Sequence, residues 1–147
     1  MTTKQQYRRT SHAVYELNYH IVWPPKYRKP VGIKKVKAFL EDIFLKIGKR
    51  YGFEVLEQNV QKDHIHLYVS APPRFSPAQL VDILKSVSAK QVFKKFPKIK
   101  EELWGGQLWS DGYFVRAVGE KVTSQIIRRY IKYQEREESA QKQQSLF

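Results

Sequence analysis

The sequence predicts an α+β domain built on one antiparallel sheet, and three observations lead there. Segments whose side chains alternate between two faces alternate along the chain with segments whose apolar residues recur at helical spacing. Proline, glycine and short polar clusters fall between them and punctuate the order. The length, 147 residues, suits one domain with enough chain to bury a core.

Residues 13–23 form the first strand. Tyr15, Leu17, Tyr19, Ile21 and Trp23 fall on one face, and Val14, Glu16, Asn18, His20 and Val22 on the other. Pro24-Pro25 ends it, and a basic loop runs through Pro30. Residues 34–51 place Val36, Leu40, Ile43, Ile47 and Tyr51 on a helical stripe, and Gly52 suits the position after a helix end. A second strand spans 53–60. The short turn Gln61-Lys62-Asp63 then leads to a third strand at 64–70, so the two form an antiparallel hairpin.

Pro72-Pro73 closes that strand, and Ser76-Pro77 opens a helix as N-cap and first-turn proline. Its stripe is Leu80, Ile83, Leu84 and Val87, with Lys85, Lys90 and Lys94 on other faces. A strand or hairpin follows at about 108–118. Thr123 or Ser124 caps a last helix carrying Ile126, Ile127, Tyr130, Ile131 and Gln134. The order is the ferredoxin-like βαββαβ pattern with an added C-terminal helix. Residues 1–138 are expected as one domain, and 139–147 as a disordered polar tail. The fold alone assigns no function.

Composition narrows the function classes. Lys and Arg number 27 against 14 Asp and Glu, a formal charge of +13, while 41% of residues are hydrophobic and 14% aromatic. The segment after Gln134 is net −1, so residues 1–134 carry the whole excess at +14. A folded domain with that field attracts polyanions, nucleic acid first among them, although a merely Lys-rich soluble surface gives the same sum. With no cysteine, disulfides, thiolate zinc sites and a cysteine nucleophile are excluded, which suits a reducing cytoplasm. Neither a signal peptide nor a membrane span is visible. No phosphate loop, HExxH or dinucleotide fingerprint is present, so no nucleotide cofactor is expected.

Two constellations carry chemistry. His64 and His66 stand two apart in a strand, so both imidazoles share a face with Tyr68 and Ser70, while Ile65, Leu67 and Val69 face the core. That histidine face is expected to be open. Two neutral imidazoles so placed can share a divalent metal, or be two solvated histidines. On the last helix Tyr130 and Gln134 are spaced i, i+4, hence on one face. A Gln carbonyl is a hard oxygen ligand, which tilts a His/His/Gln set toward Mg²⁺ or Mn²⁺. A tyrosine beside such an ion could attack a phosphodiester; alone, Tyr130 reads more readily as an amphipathic-helix residue packed beside Ile126 and Ile127 than as a nucleophile.

Taken in order, several segments resemble the single-tyrosine HUH transposases of the IS200/IS605 insertion-sequence group. They are the Tyr-His-Ile-Val-Trp strand with Lys26-Tyr27-Arg28 after it, Asp63-His64-Ile65-His66-Leu67, Leu103-Trp104-Gly105, Gly112-Tyr113-Phe114-Val115, and Tyr130-Ile131-Lys132-Tyr133-Gln134. The resemblance covers roughly residues 13–134. It implies a divalent metal, Mg²⁺ or Mn²⁺, on His64, His66 and Gln134, with Tyr130 as the nucleophile. Tyr133, next to Gln134, points about 100° away on a helix. It further implies cleavage of single-stranded DNA at element ends, a 5′-phosphotyrosine intermediate, and rejoining by the freed 3′-OH without ATP. The expected partners are DNA hairpins at those ends and a second copy of the chain, with active sites that can be shared between subunits. Lys26, Arg28 and Lys90 are candidate DNA-backbone contacts. The expected location is a bacterial or archaeal cytoplasm, on the nucleoid when acting. Two other readings stay open: a domesticated relative that nicks repeated palindromes, and a non-catalytic module binding single-stranded DNA or RNA.

Overall fold

The computed structural model describes residues 7–26, 30–103, 106–118 and 132, with backbone only for 30–32. Two compact units divide the chain, Met1–Ala117 and Val118–Phe147. In order the elements are β1 (Arg8–Arg9), β2 (Val14–Tyr15), β3 (Asn18–Trp23), α1 (Pro30–Tyr51), β4 (Glu54–Val60), β5 (Ile65–Ser70), α2 (Pro77–Lys95), α3 (Pro97–Glu102) and β6 (Phe114–Val118). The main sheet has the spatial order β4-β5-β3-β6. Both β3 and β4 run antiparallel to β5, so the expected hairpin across Gln61–Asp63 is present. No helix among the described residues is long and apolar enough to cross a membrane.

The long first strand is in fact two. Val14–Tyr15 pairs with Arg8–Arg9 in a small separate ribbon, and the main-sheet strand begins at Asn18. Alternation of side chains continues through a change of partner, so the pattern alone did not reveal the break. The last strand is shorter than expected, Phe114–Val118. Leu108 and Trp109 lie instead in a segment pinned to the end of β3, where Lys26 N–H donates to Leu108 O at 2.9 Å and Ser110 N–H to Pro24 O at 3.1 Å. Trp109 earns that position by packing. Its ring meets Trp23 edge-on at 5.6 Å, and its indole N–H donates to the buried Ser88 hydroxyl at 2.9 Å. The turn α3 was not foreseen. The expected helix from Thr123 or Ser124 and the expected tail fall outside the described residues, apart from Lys132, which is helical and exposed.

Helices α1 and α2 pack on each other and on one face of the sheet. Val36, Leu40, Ile43 and Ile47 are buried as their spacing requires, joined by Ile33 and Phe44, whereas Tyr51 remains exposed. They meet Tyr19, Ile21 and Trp23 of β3 and Ile65, Leu67 and Val69 of β5. Each such aliphatic side chain contributes roughly 1.5–3 kcal/mol when buried. Helix α1 ends at Gly52, whose φ of 93° is open to glycine at little cost. Phe53 N–H then closes the end onto Gly48 O at 2.9 Å. On α2, Ser76 accepts from Gln79 N–H at 3.1 Å. In return Gln79 Oε1 accepts from Ser76 N–H at 2.8 Å, completing a capping box.

Strand β4 holds one irregularity that matters for the site. Val55 faces Val69, yet the next pair is Glu57 with Tyr68, which leaves Leu56 as a bulge. Val55 and Val60 stand an odd number apart and could not both face the core in a regular strand. The extra residue puts both there, and it turns Glu57 and Asn59 onto the opposite face, beside Tyr68 and His66.

Candidate active site

The face of β5 turned away from the helices carries His66, Tyr68 and Ser70, with His64 just before the strand. Pairing adds Asn18, His20 and Val22 from β3, and Glu57 and Asn59 from β4. His64 and His66 therefore come together as their spacing predicts, with ring centroids 4.1 Å apart and planes at 90°. The expected open face is a correction. Relative exposure is 3% for His20, 3% for His64 and 4% for His66. The rings shield one another in part: the His20 ring lies nearly parallel to His66, 5.6 Å centroid to centroid at 11°, and Val22 stands directly across from His66.

Burial keeps His66 and His20 neutral near pH 7. Burial, then the neighbouring His64 and His20, lower the His66 pKa to about 3. Burial alone takes His20 to about 4. Near neutral pH both rings keep a lone pair for a metal or a hydrogen bond. Both nitrogens of His66, both of His20 and the Ser70 hydroxyl are buried without a hydrogen-bond partner among the described residues. His64 is oriented differently, with its Nδ1 2.8 Å from Asp63 Oδ1. A carboxylate on one imidazole nitrogen fixes the tautomer and turns the other nitrogen toward an ion.

These residues fit part of a divalent-metal site. Two imidazoles converge, and one of them is braced by a carboxylate as metal-bound histidines commonly are. Among the described residues no third His, Cys, Asp or Glu completes a cluster, so further ligands have to be of another type. Gln134 is such a residue, but Gln134 and Tyr130 lie outside the described residues, as does Arg28. Tyr68 is the tyrosine that does share the histidine face. Burial, then the carboxylates of Glu57 and Glu16, raise its pKa, against a hydrogen bond from Asn18 that lowers it. That setting holds the phenol protonated and makes Tyr68 a poor attacking group.

Two of the basic candidates lie among the described residues. Lys26 is exposed, and its ammonium donates to Gln107 Oε1 at 2.6 Å. Lys90 is exposed on α2, in the helical layer across the sheet. One lysine that the sequence did not single out for a role is partly buried. Lys85 donates to the carbonyls of Ser110 and Gly112 and so ties α2 to the loop before β6. Burial lowers its pKa while Asp111 and Asp82 oppose the shift. Asp63 and His20 are the other residues that sequence reasoning passed over. Adjacency to His64 was the available signal for Asp63. For His20 the signal was its place in the Tyr-His-Ile-Val-Trp motif, but only the pairing of β3 with β5 carries it to His66.

With the geometry in place, comparison with known proteins is decisive. The family described as "Transposase IS200 like" matches residues 13–134. The chain belongs to the IS200-like transposases. It is 40% identical over 121 residues to the ISDra2 transposase TnpA of Deinococcus radiodurans, covering 82% of this chain and 86% of that one. The transposase for insertion sequence IS200 of Salmonella typhimurium is 29% identical over 136 residues, 92% of this chain and 88% of the relative. Among solved structures, a Deinococcus radiodurans R1 protein assigned as a transposase superposes with a TM-score of 0.70 at 36% identity, over 86% of this chain and 97% of that chain. A REP-associated tyrosine transposase bound to a REP hairpin shares the fold, with a TM-score of 0.54 at 16% identity, over 88% of this chain and 70% of that one. This IS200-like protein is thus a DNA transposase, an enzyme that cuts and rejoins DNA.

Proposed function

We propose that this transposase cleaves single-stranded DNA through Tyr130, with His64, His66 and Gln134 holding Mg²⁺ or Mn²⁺. The observation that carries the reading is the buried His64–His66 pair with Asp63 set behind His64. A bound divalent ion would supply Lewis-acid polarisation of the scissile phosphate. The chain's own residues do the rest. Tyr130 Oη gives up its proton and bonds to phosphorus as the P–O3′ bond breaks, and the departing oxygen takes a proton to become a free 3′-OH. Attack by a 3′-OH on the 5′-phosphotyrosine reverses the exchange and joins strands. One phosphodiester is traded for another, so no ATP is required.

The finer architecture belongs to the same reading. The order β4-β5-β3-β6, with β3 and β5 central, supports a ferredoxin-like frame, and a C-terminal helix would carry Tyr130 and Gln134 on one face. We infer that residues 1–138 act as one catalytic domain and that two copies associate, with each tyrosine helix free to serve either site. The DNA partner is single-stranded with hairpins at element ends, a reading supported by the REP hairpin bound in the REP-associated tyrosine transposase. Lys26, Arg28 and Lys90 would contact backbone phosphates. The bacterial cytoplasm is the compartment that such a substrate implies.

Covalent capture tests the mechanism. The protein is incubated with labelled single-stranded DNA from its own element ends and Mg²⁺ or Mn²⁺, then run on a denaturing gel. A metal-dependent adduct mapped to Tyr130, lost in Tyr130→Phe and in His64→Ala, is the expected result. Firm DNA binding with no adduct under either ion would overturn it and favour a non-catalytic binding module.

A further inference from the structure

His20 has no part in the mechanism just given, yet it is the histidine whose burial is hardest to explain. It is 3% exposed, and neither of its nitrogens has a hydrogen-bond partner among the described residues. Leaving a buried polar group unpaired costs about 1–3 kcal/mol. A phenylalanine would fill the same place against His66 without that cost. The position therefore keeps an imidazole at a loss to the empty protein, which points to a partner that arrives with the substrate.

Its surroundings define the partner. His20 sits on β3 opposite Tyr68 and diagonal to His66, on the face that holds the proposed metal pair. Its ring runs nearly parallel to His66, 5.6 Å centroid to centroid. Yet no three of the described His, Cys, Asp or Glu side chains form a group that could hold an ion. His20 is thus beside the ion site without belonging to its ligand set. The groups that fill the space next to an imidazole-bound ion are its oxygen ligands, either water or a phosphate oxygen.

We propose that His20 is a positioning residue of the cleavage reaction, donating an imidazole N–H to an oxygen, from water or the scissile phosphate, bound beside His66. This rests on the metal reading of His64 and His66. Its stack on His66 is the geometric means by which the donor is aimed. The proposal also explains why a ring with two hydrogen-bonding edges is kept where packing alone asks for a flat apolar one.

The test compares the wild type with His20→Phe, which keeps the stack and removes the nitrogens, and with His20→Gln, which keeps a donor. Three quantities are read: melting temperature in EDTA, Mn²⁺ affinity by calorimetry, and cleavage of single-stranded DNA resolved into kcat and KM. His20→Phe is expected to melt no lower than wild type, to bind Mn²⁺ within about threefold of it, and to lose roughly tenfold or more in kcat at unchanged KM. His20→Gln should recover part of that loss. Wild-type kcat in His20→Phe overturns the proposal, as does a tenfold loss of Mn²⁺ affinity, which would make His20 a ligand. A markedly lower melting temperature in His20→Phe also overturns it, by showing that the nitrogens already have partners in the empty protein. Failure of the underlying metal reading looks different: wild type and His64→Ala would then bind Mn²⁺ equally weakly.

Discussion

Four residues on and just before two neighbouring strands form the candidate site at the smallest scale. His64 is aimed by the Asp63 carboxylate, and His66 is braced by the parallel ring of His20. Burial has a second consequence, visible in acid. The folded pKa values of His66 and His20, about 3 and about 4, lie below the ordinary 6.5. Above pH 6.5 both rings are neutral whether the chain is folded or not, and neither opposes folding by titration. As pH falls through 6.5 the unfolded chain takes up their protons first, so stability is lost until the folded pKa values are passed. The loss per histidine is at most roughly 1.4 kcal/mol per pH unit. Urea midpoints of the metal-free protein should therefore drop between pH 7 and 4.5, and less steeply in His20→Phe. Equal slopes for the two proteins would mean that His20 is solvated.

At the scale of elements, local signals and packing divide the work. The capping box on α2 is written in four consecutive letters, Ser76-Pro77-Ala78-Gln79, and the structure makes both of its hydrogen bonds. Ser76→Ala should cost about 1 kcal/mol and lower the melting temperature by about 2–4 °C, with cleavage unaffected. No change in melting temperature would place the stability of α2 wholly in its packing. Local rules also named Gly52 as the end of α1, because only the residue's own φ and the last turn are involved. They failed where an element depends on a distant partner. The bulge at Leu56 is set by β5, and Trp109 leaves the expected strand because Trp23, Ser88 and the end of β3 receive it. The buried side of α2 is wider than its spacing predicts. Leu80 and Leu84 are buried and Ile83 and Val87 partly so, while Val81, Ser88 and Val92 join them, where α3 and the 107–110 segment pack on the helix.

For the whole molecule the charge of +13 is the property that acts at a distance. It predicts that affinity for single-stranded DNA falls steeply and log-linearly with salt, with a slope set by the number of phosphates neutralised. Binding titrations between 50 and 300 mM NaCl check this, and a flat dependence would assign the charge to solubility alone. Sequence by itself determined the alternation of strands and helices, the pairing of 53–60 with 64–70, the family and the HxH pair. Each depends on side-chain periodicity, on short spacings or on an ordered set of motifs, all of which survive without coordinates. Tertiary structure alone decided that the histidine face is buried, that β3 lies beside β5, and that His20 comes to rest on His66. Strand pairing across more than forty residues depends on which faces the helices cover and how the sheet closes around them, and no local pattern encodes that choice.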